Sequence, residues 1–272
     1  MANDREVLRE IWEGKLPVSF QLNSEEVIDL QSPEPYYLMV PRLSYFPIVT
    51  DKVRKHFLRY IHQDKQDAEM WLDYNGLALK WHYPIGLLYD LNKADIELPW
   101  AVTVHFDKFP ESEILHCSNR EVVEMHFMSC LKEADVLKHR SLVVSSMQRK
   151  DHNQLWLGLQ NDKFDQFWAV NRKLMEMGPT SDESFKYIPF RCYHGERPVR
   201  QKLVKPVTED GRRKTLQHFL EEVYPTEHEK VRVVIHGVEP PRETPLQWMS
   251  EHLSYPDNFL HLCIFIDETS AT

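Results

Sequence analysis

The stretch MWLDYNGLALKWHYPIGLLYDL, residues 70–91, contains the features that decide the fold. A strand-like run ends at Asn75-Gly76, a second run, LALKWHY, follows, and Pro84 opens the short apolar segment PIGLLYDL. Glycine accepts the positive φ that a tight turn between neighbouring strands requires, and proline in a first helical turn forfeits no hydrogen bond. The same order returns further on, where VRVVIH ends at Gly237 and Pro245 opens PLQWMSEHL. The chain therefore contains two similar halves.

Working outward, residues 16–106 carry strand-like runs at LPVSFQL, YYLMVPR, MWLDYN, LALKWHY and LPWAVTVHF, rich in aromatic and β-branched residues. One helix interrupts them, TDKVRKHFLRYI, with Thr50 or Asp51 as N-cap and Val53, Phe57 and Ile61 forming a buried stripe. Residues 185–266 repeat the order: strands at FKYIPFRCY and VRQKLVKPV, a helix at KTLQHFLEEVY, a strand at VRVVIH, a short helix, then NFLHLCIFI. Two strands, helix, strands, short helix and closing strand resemble the ubiquitin-like β-grasp, in which one helix crosses a mixed sheet and the other sheet face is left for partners.

The middle differs. From Arg120 to Met177 there is no proline, and Gly158 is the one glycine, which predicts two long helices broken near Lys150 to His152. In LWLGLQNDKFDQFWAVNRKLMEMG, residues Leu155, Trp156, Leu159, Phe164, Phe167, Trp168, Asn171, Leu174 and Met175 recur with a period near 3.6, so Trp156 and Trp168 are expected in a core. Gly178-Pro179 is a helix stop. The expected class is α+β: an N-terminal helix (1–13), a first ubiquitin-like domain (14–107), a helix-rich domain (108–184) and a second ubiquitin-like domain (185–268).

Composition narrows the function. A formal net charge of −9 opposes bulk attraction to nucleic acid, so no nucleic-acid partner is expected. Locally, Arg191 to Lys214 is rich in Arg and Lys, which fits either a solvated strand pair or a contact for an acidic partner or membrane surface. There is no membrane-length apolar run, and the start MANDREVLREIWEG is unlike a signal peptide, so the cytosol or nucleus is expected. Cys117, Cys130, Cys192 and Cys263 are widely spaced, which argues against a zinc ribbon or a disulfide framework. No GxGxxG or GxxxxGK[ST] pattern is present, and no cofactor is expected.

The chemistry candidates gather in HFMSCLKEADVLKH, residues 126–139. His126 and Cys130 stand one helical turn apart but lack a second ligand pair, so no metal site is expected. On a helical wheel Val123, Phe127, Leu131, Ala134 and Leu137 form an apolar arc that includes Cys130, whose thiol is then buried and inert rather than a thioester carrier. Lys132 falls opposite, beside Glu121, Met125, Met128, Asp135, Val136 and His139. Exposure alone does not select it: an ordinary lysine amine is only on the order of 0.1% neutral at physiological pH, so attack would need a partner enzyme to orient it and supply a base. Geometry leaves a modifier acceptor, a binding adaptor and a solubilising charge all open.

Longer strings carry a resemblance across essentially the whole chain: TDKVRKHF, LKWHYPIGLLYDL, LPWAVTVHF, HFMSCLKEAD, QLWLGLQNDKFDQFWAVNRKLME and ETPLQWMSEHLSYPDNFLH. They resemble the autophagy protein 5 family in its animal form. The resemblance implies two ubiquitin-like domains around a helix-rich one, and an isopeptide bond from one lysine to the ubiquitin-like modifier autophagy protein 12. The matching lysine is Lys132. It further implies that the conjugate binds the N-terminal helix of autophagy protein 16 and acts as a ligase-like factor, without a catalytic residue of its own. That factor promotes transfer of autophagy protein 8 modifiers to phosphatidylethanolamine. The implied cascade partners are autophagy proteins 7, 10 and 3, and the implied location is the cytoplasm, peripheral at the phagophore membrane. Met125, Met128 and Val136 would then seat the attached modifier.

Overall fold

The computed structural model describes residues 5–92, 97–175, 185–195 and 197–266. The chain forms two compact units, one of residues 14–126 and one of residues 1–13 with 127–272.

In the first unit five strands are ordered β2-β1-β5-β3-β4: β1 (Lys15–Leu22), β2 (Tyr36–Pro41), β3 (Trp71–Tyr74), β4 (Leu77–Ala78) and β5 (Trp100–His105). β1 and β5 run parallel with Val18 opposite Trp100, and the other pairs are antiparallel. Alternation directs Leu16, Val18, Phe20 and Leu22 of β1 to one face, where they meet Trp100, Val102 and Val104 in the core. Val53, Phe57 and Ile61 cover that face as their spacing predicts, the first two from α3 (Asp51–Phe57). A four-residue helix, α2 (Phe46–Val49), runs directly into α3, so the Thr50 hydroxyl donates back to the Phe46 carbonyl at 2.8 Å instead of capping α3. LALKWHY yields only the two-residue β4 before α4 (Ile85–Asn92) begins. Asn75 and Gly76 both have positive φ, 52° and 80°, and His236 and Gly237 repeat the turn at 53° and 79°.

In the second unit the sheet is smaller, ordered β6-β8-β7, with β6 (Phe190–Tyr193) parallel to β8 (Leu260–Ile266) and β7 (Val231–Val234) antiparallel to it. α9 (Leu216–Val223) and α10 (Leu246–His252) stand where the repeat predicts helices. The expected strand VRQKLVKPV does not form. It makes only isolated bridges, Cys192 with Arg200 and Val207 with Arg213, because Pro198 and Pro206 cannot donate to a ladder and its cations are drawn to α9.

The helical region is also more divided than predicted. α5 (Arg120–His139) starts in the first unit and belongs to the second from Phe127 on; α6 (Leu142–Ser146), α7 (Arg149–Gln160) and α8 (Phe164–Met175) follow. One break lies at Arg140-Ser141, both at positive φ, and a second at the extended Met147-Gln148, just before the expected Lys150 to His152. Those residues open α7, where Asp151 accepts from the Gln148 amide at 2.9 Å. The long apolar stretch is two helices, turned at Asp162 (φ 53°). Gly158 makes that turn compact, since its bare Cα faces the Phe167 backbone. Trp156 is buried as expected, whereas Trp168 is half-exposed and stacks on Phe164. The N-terminal helix α1 (Arg5–Glu13) buries Trp12 against Phe164 and Phe167 and pairs Arg5 and Arg9 with Asp165. The stop at Gly178-Pro179 lies outside the described residues.

Candidate functional site

α5 is the element on which the candidate chemistry sits. Val123, Phe127, Leu131 and Ala134 are buried, and the aromatic ring of Phe127 lies 6.2 Å from Trp156 and 6.5 Å from Phe167. This packing fixes the rotation of the helix and therefore which side chains face water. Lys132 is exposed, and its amine makes no hydrogen bond or ion pair with any described residue. Val136, one turn on, is 51% exposed and Met128 is half-buried, so apolar side chains flank the amine on both sides. Met125, further back on α5, is exposed as well.

Two expected neighbours of Lys132 are elsewhere. Asp135 is buried, because the Val144 amide at the start of α6 donates to its carboxylate at 2.8 Å. His139 is half-buried with Nε2 at 3.0 Å from the Leu174 carbonyl, and burial depresses its pKa.

The other candidates are held in structural roles. Cys130 is 5% exposed, and burial pushes its thiol pKa up to about 11, despite the Arg191 guanidinium at 3.5 Å from Sγ. Arg191 itself lies over the Phe259 ring and pairs with Glu133 at 2.8 Å. His126 reaches the His82 carbonyl at 3.1 Å and packs edge-on against Trp81. Cys192 is buried with its thiol raised to about 12, and half-buried Cys117 is raised likewise by burial and the nearby Glu69 carboxylate. A thiol carrier needs an accessible, acidified thiol, and Cys117, Cys130 and Cys192 have the opposite environment.

Two clefts, of about 450 Å³ and about 370 Å³, open on the first and second units. Trp71, Leu72, Leu79 and Ile114 wall the first, where Cys117 also lies beside Glu69 with its thiol kept protonated. Among the described residues no cluster of His, Cys, Asp and Glu could hold a metal ion, and no helix is long and apolar enough to cross a membrane.

Lys138 is the residue that sequence reasoning missed. It is 2% exposed, with Nζ at 3.2 Å from Asn258 Oδ1, 3.3 Å from Met175 Sδ and 4.6 Å from the Phe185 ring centre. Burial drives its pKa down to about 7, against the pull of the Glu251, Asp135 and Asp257 carboxylates. The signal was present: Lys138 follows Leu131 and Ala134 at i+7 and i+4, on the buried stripe.

The basic segment is largely occupied internally. Arg200 and Lys202 donate to the Val223 and Glu222 carbonyls at the C-terminal end of α9, both at 2.9 Å. Lys214 pairs with Glu222 and Arg212 with Asp210. Arg200 and Lys202 thus satisfy carbonyls left open by the helix end, while Arg197, Lys205 and Arg213 remain exposed.

Three family models match the chain: Autophagy protein ATG5, UblA domain, over residues 11–106; its alpha-helical bundle region over 120–177; and its UblB domain over 187–264. Autophagy protein 5 of Drosophila melanogaster is 55% identical over 267 residues, covering 97% of this chain and 98% of that one. The chain belongs to the autophagy protein 5 family. It is an animal member of that family, an autophagy protein whose two ubiquitin-like domains flank a helical bundle. Autophagy-related protein 5 of Caenorhabditis elegans is 33% identical over 281 residues, covering 97% of this family member and 98% of its own length. The crystal structure of Kluyveromyces marxianus Atg5 shares the fold with a TM-score of 0.81 at 20% identity, covering 95% of this chain and 99% of that one.

Proposed function

We propose that this autophagy protein 5 family member is the acceptor of autophagy protein 12 through Lys132. In this reading the conjugate, with the N-terminal helix of autophagy protein 16, is a ligase-like factor for lipidation of autophagy protein 8 modifiers. It works in the cytoplasm and peripherally at the phagophore membrane. The observation that supports the site is the contrast on one helix: Lys132 stands free in water beside Val136 and Met128, whereas Lys138 is enclosed. Only an amine that protrudes can enter a second enzyme's site.

In the reaction the neutral Lys132 amine attacks the carbonyl carbon of the modifier's C-terminal glycine, held as a thioester on the cysteine of autophagy protein 10, with autophagy protein 7 upstream. The C–N bond forms, the C–S bond breaks, the thiolate leaves and the amine proton passes to a base on the conjugating enzyme. This chain supplies the nucleophile and its rigid helical mount, and the partner supplies orientation. The later contribution is to gather the charged carrier, autophagy protein 3, at the membrane.

The test is the conjugate band in cells. Lys132→Arg keeps charge and removes the acceptor amine, so the shifted band disappears; a band of unchanged intensity would overturn the assignment. Reconstituted lipidation with the same variant separates this reading from a pure adaptor, which would retain full activity.

A further inference from the structure

A sheet edge with open N–H and C=O groups is a template for a further strand, and natural sheets blunt their edges with short strands, charges, prolines or a covering segment. Among the described residues, three of the four sheet edges are blunted. β4 is two residues long. On β7 the Val231 carbonyl accepts from Arg242 at 3.0 Å, and Ile235 pairs with Val238. On β6 Cys192 exchanges both of its backbone hydrogen bonds with Arg200, each at 3.0 Å.

The fourth edge, β2, carries none of these devices: Tyr36 to Val40, YYLMV, holds neither charge nor proline. The Arg42 amide donates to the Gly14 carbonyl at 2.9 Å, and hydrogen-bonded pairs alternate along an antiparallel ladder. The backbone groups of Val40, Leu38 and Tyr36 therefore face β1, and those of Met39 and Tyr37 face away from it. Pro17, opposite Met39, has no N–H to offer. Tyr37 and Met39 thus present N–H and C=O groups with no partner among the described residues, and the two residues are 65% and 56% exposed. They stand about 7 Å apart, the spacing of alternate residues in an extended strand. Their side chains project from the outer sheet face and offer such a strand apolar contacts.

α3 borders this edge. The His56 ring centre lies 5.2 Å from that of Tyr36, and its Nε2 lies 3.2 Å from the Glu34 carbonyl. Lys52, one turn earlier on the same side of the helix, and Lys55 are exposed and form no ion pair with a described residue. The exposed acids Asp29 and Glu34 precede the strand, at the His56 end, so the cationic end of the border is at Lys52. A second copy of this chain is the poorer occupant. Two β2 strands paired about a two-fold axis would set both α3 helices on one face of the joined sheet and turn Lys52 and Lys55 toward their own copies. A strand with an acidic end gains from the same lysines.

We infer that the β2 edge is a docking site for an extended, uncharged segment of a partner protein that ends in acidic residues and joins the sheet through main-chain hydrogen bonds to Tyr37 and Met39. This goes beyond conjugation at Lys132 and does not depend on it.

The probes are two blocked synthetic peptides with a core of alternating valine and threonine long enough to span Tyr36 to Val40, carrying two aspartates at the N-terminal end in one and at the C-terminal end in the other. One of them should bind the unconjugated full chain with a Kd below about 1 mM and slow the exchange of the Tyr37 and Met39 amides. Met39→Pro removes an N–H that the β1–β2 ladder does not use, so it should leave thermal unfolding unchanged and weaken the peptide about tenfold. The same peptide with every core amide N-methylated should not bind the parent chain, a comparison that needs no variant to fold. Lys52→Gln with Lys55→Gln should weaken binding severalfold. No binding of either peptide to the parent chain overturns the site. Binding that survives N-methylation overturns strand addition, and binding indifferent to the lysine changes overturns the acidic partner. A dimer of the parent chain in sedimentation that Met39→Pro dissociates gives the edge to a second copy and overturns the partner strand.

Discussion

Gly158→Ala sets two effects of opposite sign against each other. Alanine inside a helix is favoured over glycine by about 1 kcal/mol, so on propensity alone the variant gains stability. A Cβ built at Gly158 would lie 2.7 Å from the Phe167 nitrogen and 2.8 Å from its Cα and Cβ. Ordinary contacts are about 3.5–4.0 Å, so α8 must retreat by roughly 1 Å. Two of the opposing atoms are backbone and the third is a Cβ fixed to it, so no rotamer change can relieve them. Overpacking of this kind costs about 1–3 kcal/mol, and here a buried interface containing Leu155, Leu159, Phe164 and Phe167 opens with it. The upper end applies, leaving a net loss of about 2 kcal/mol, or roughly 30-fold faster exchange of α7 and α8 amides wherever exchange follows unfolding of this region. Hydrogen exchange read by mass spectrometry measures this directly, with the β1–β5 sheet as an internal reference that should not change. Exchange in α7 and α8 that is unaltered or slower would refute the close-approach argument.

Two titrations give further tests. Burial pulls the His105 pKa down, but hydrogen bonds to Glu26 and Asp73, with their charges, raise it above the ordinary value. Its stabilisation is therefore complete below the unfolded pKa of about 6.5 and is lost as pH rises through the higher folded value. His105→Gln should remove that slope from denaturation curves of the first unit, and an identical slope in the variant would exclude the ion-pair account. Lys138 has the opposite sign: with a folded pKa near 7 against 10.5 unfolded, its contribution is present at high pH and lost as pH falls toward 7. Stability of the parent chain should thus rise between pH 7 and 9 relative to Lys138→Met, and parallel curves would show that Lys138 is not enclosed as described. Arg200→Ala should destabilise the end of α9 by about 1 kcal/mol, seen as faster exchange at Glu222 and Val223; unchanged exchange there would deny it a capping role.

The architecture was legible where local chemistry dictates geometry. Asn75-Gly76 and His236-Gly237 adopt nearly the same positive-φ turn, and the apolar spacing of Val53, Phe57 and Ile61 gives the buried helix face it predicts. Errors arose where a distant partner decides. Val199, Leu203 and Val207 read as a strand, yet Arg200 and Lys202 are bound to carbonyls twenty or more positions on in α9. The apolar period of LWLGLQNDKFDQFWAVNRKLM runs on unbroken through a turn, because Asn161 to Lys163 use up residues without disturbing the phase. Gly158, the one glycine of the stretch, is the point where the two helices touch.

The site was legible by half, and α5 makes clear why. A wheel projects one helix and weighs only whether each side chain is apolar, whereas burial is set by everything packed against it. Taking Val123 as origin at about 100° per residue, the buried set Val123, Phe127, Cys130, Leu131, Ala134, Asp135 and Lys138 spans about 140°. Lys138 falls near the middle of that arc and Asp135 at its edge. Each is kept there by groups far off in the sequence or on the next element, Asn258 and Phe185 for the lysine, the Val144 amide for the aspartate. Lys132 lies about 130° from the centre of the arc, with Val136 and Met125 on the same outward side, so its exposure does not depend on any one contact. Lys138 cannot turn outward without rotating the whole helix and unpacking Phe127 from Trp156 and Phe167. Conjugation lost in Lys132→Arg therefore has no substitute acceptor on α5, and mass spectrometry that found the modifier on Lys138 in that variant would contradict the packing described.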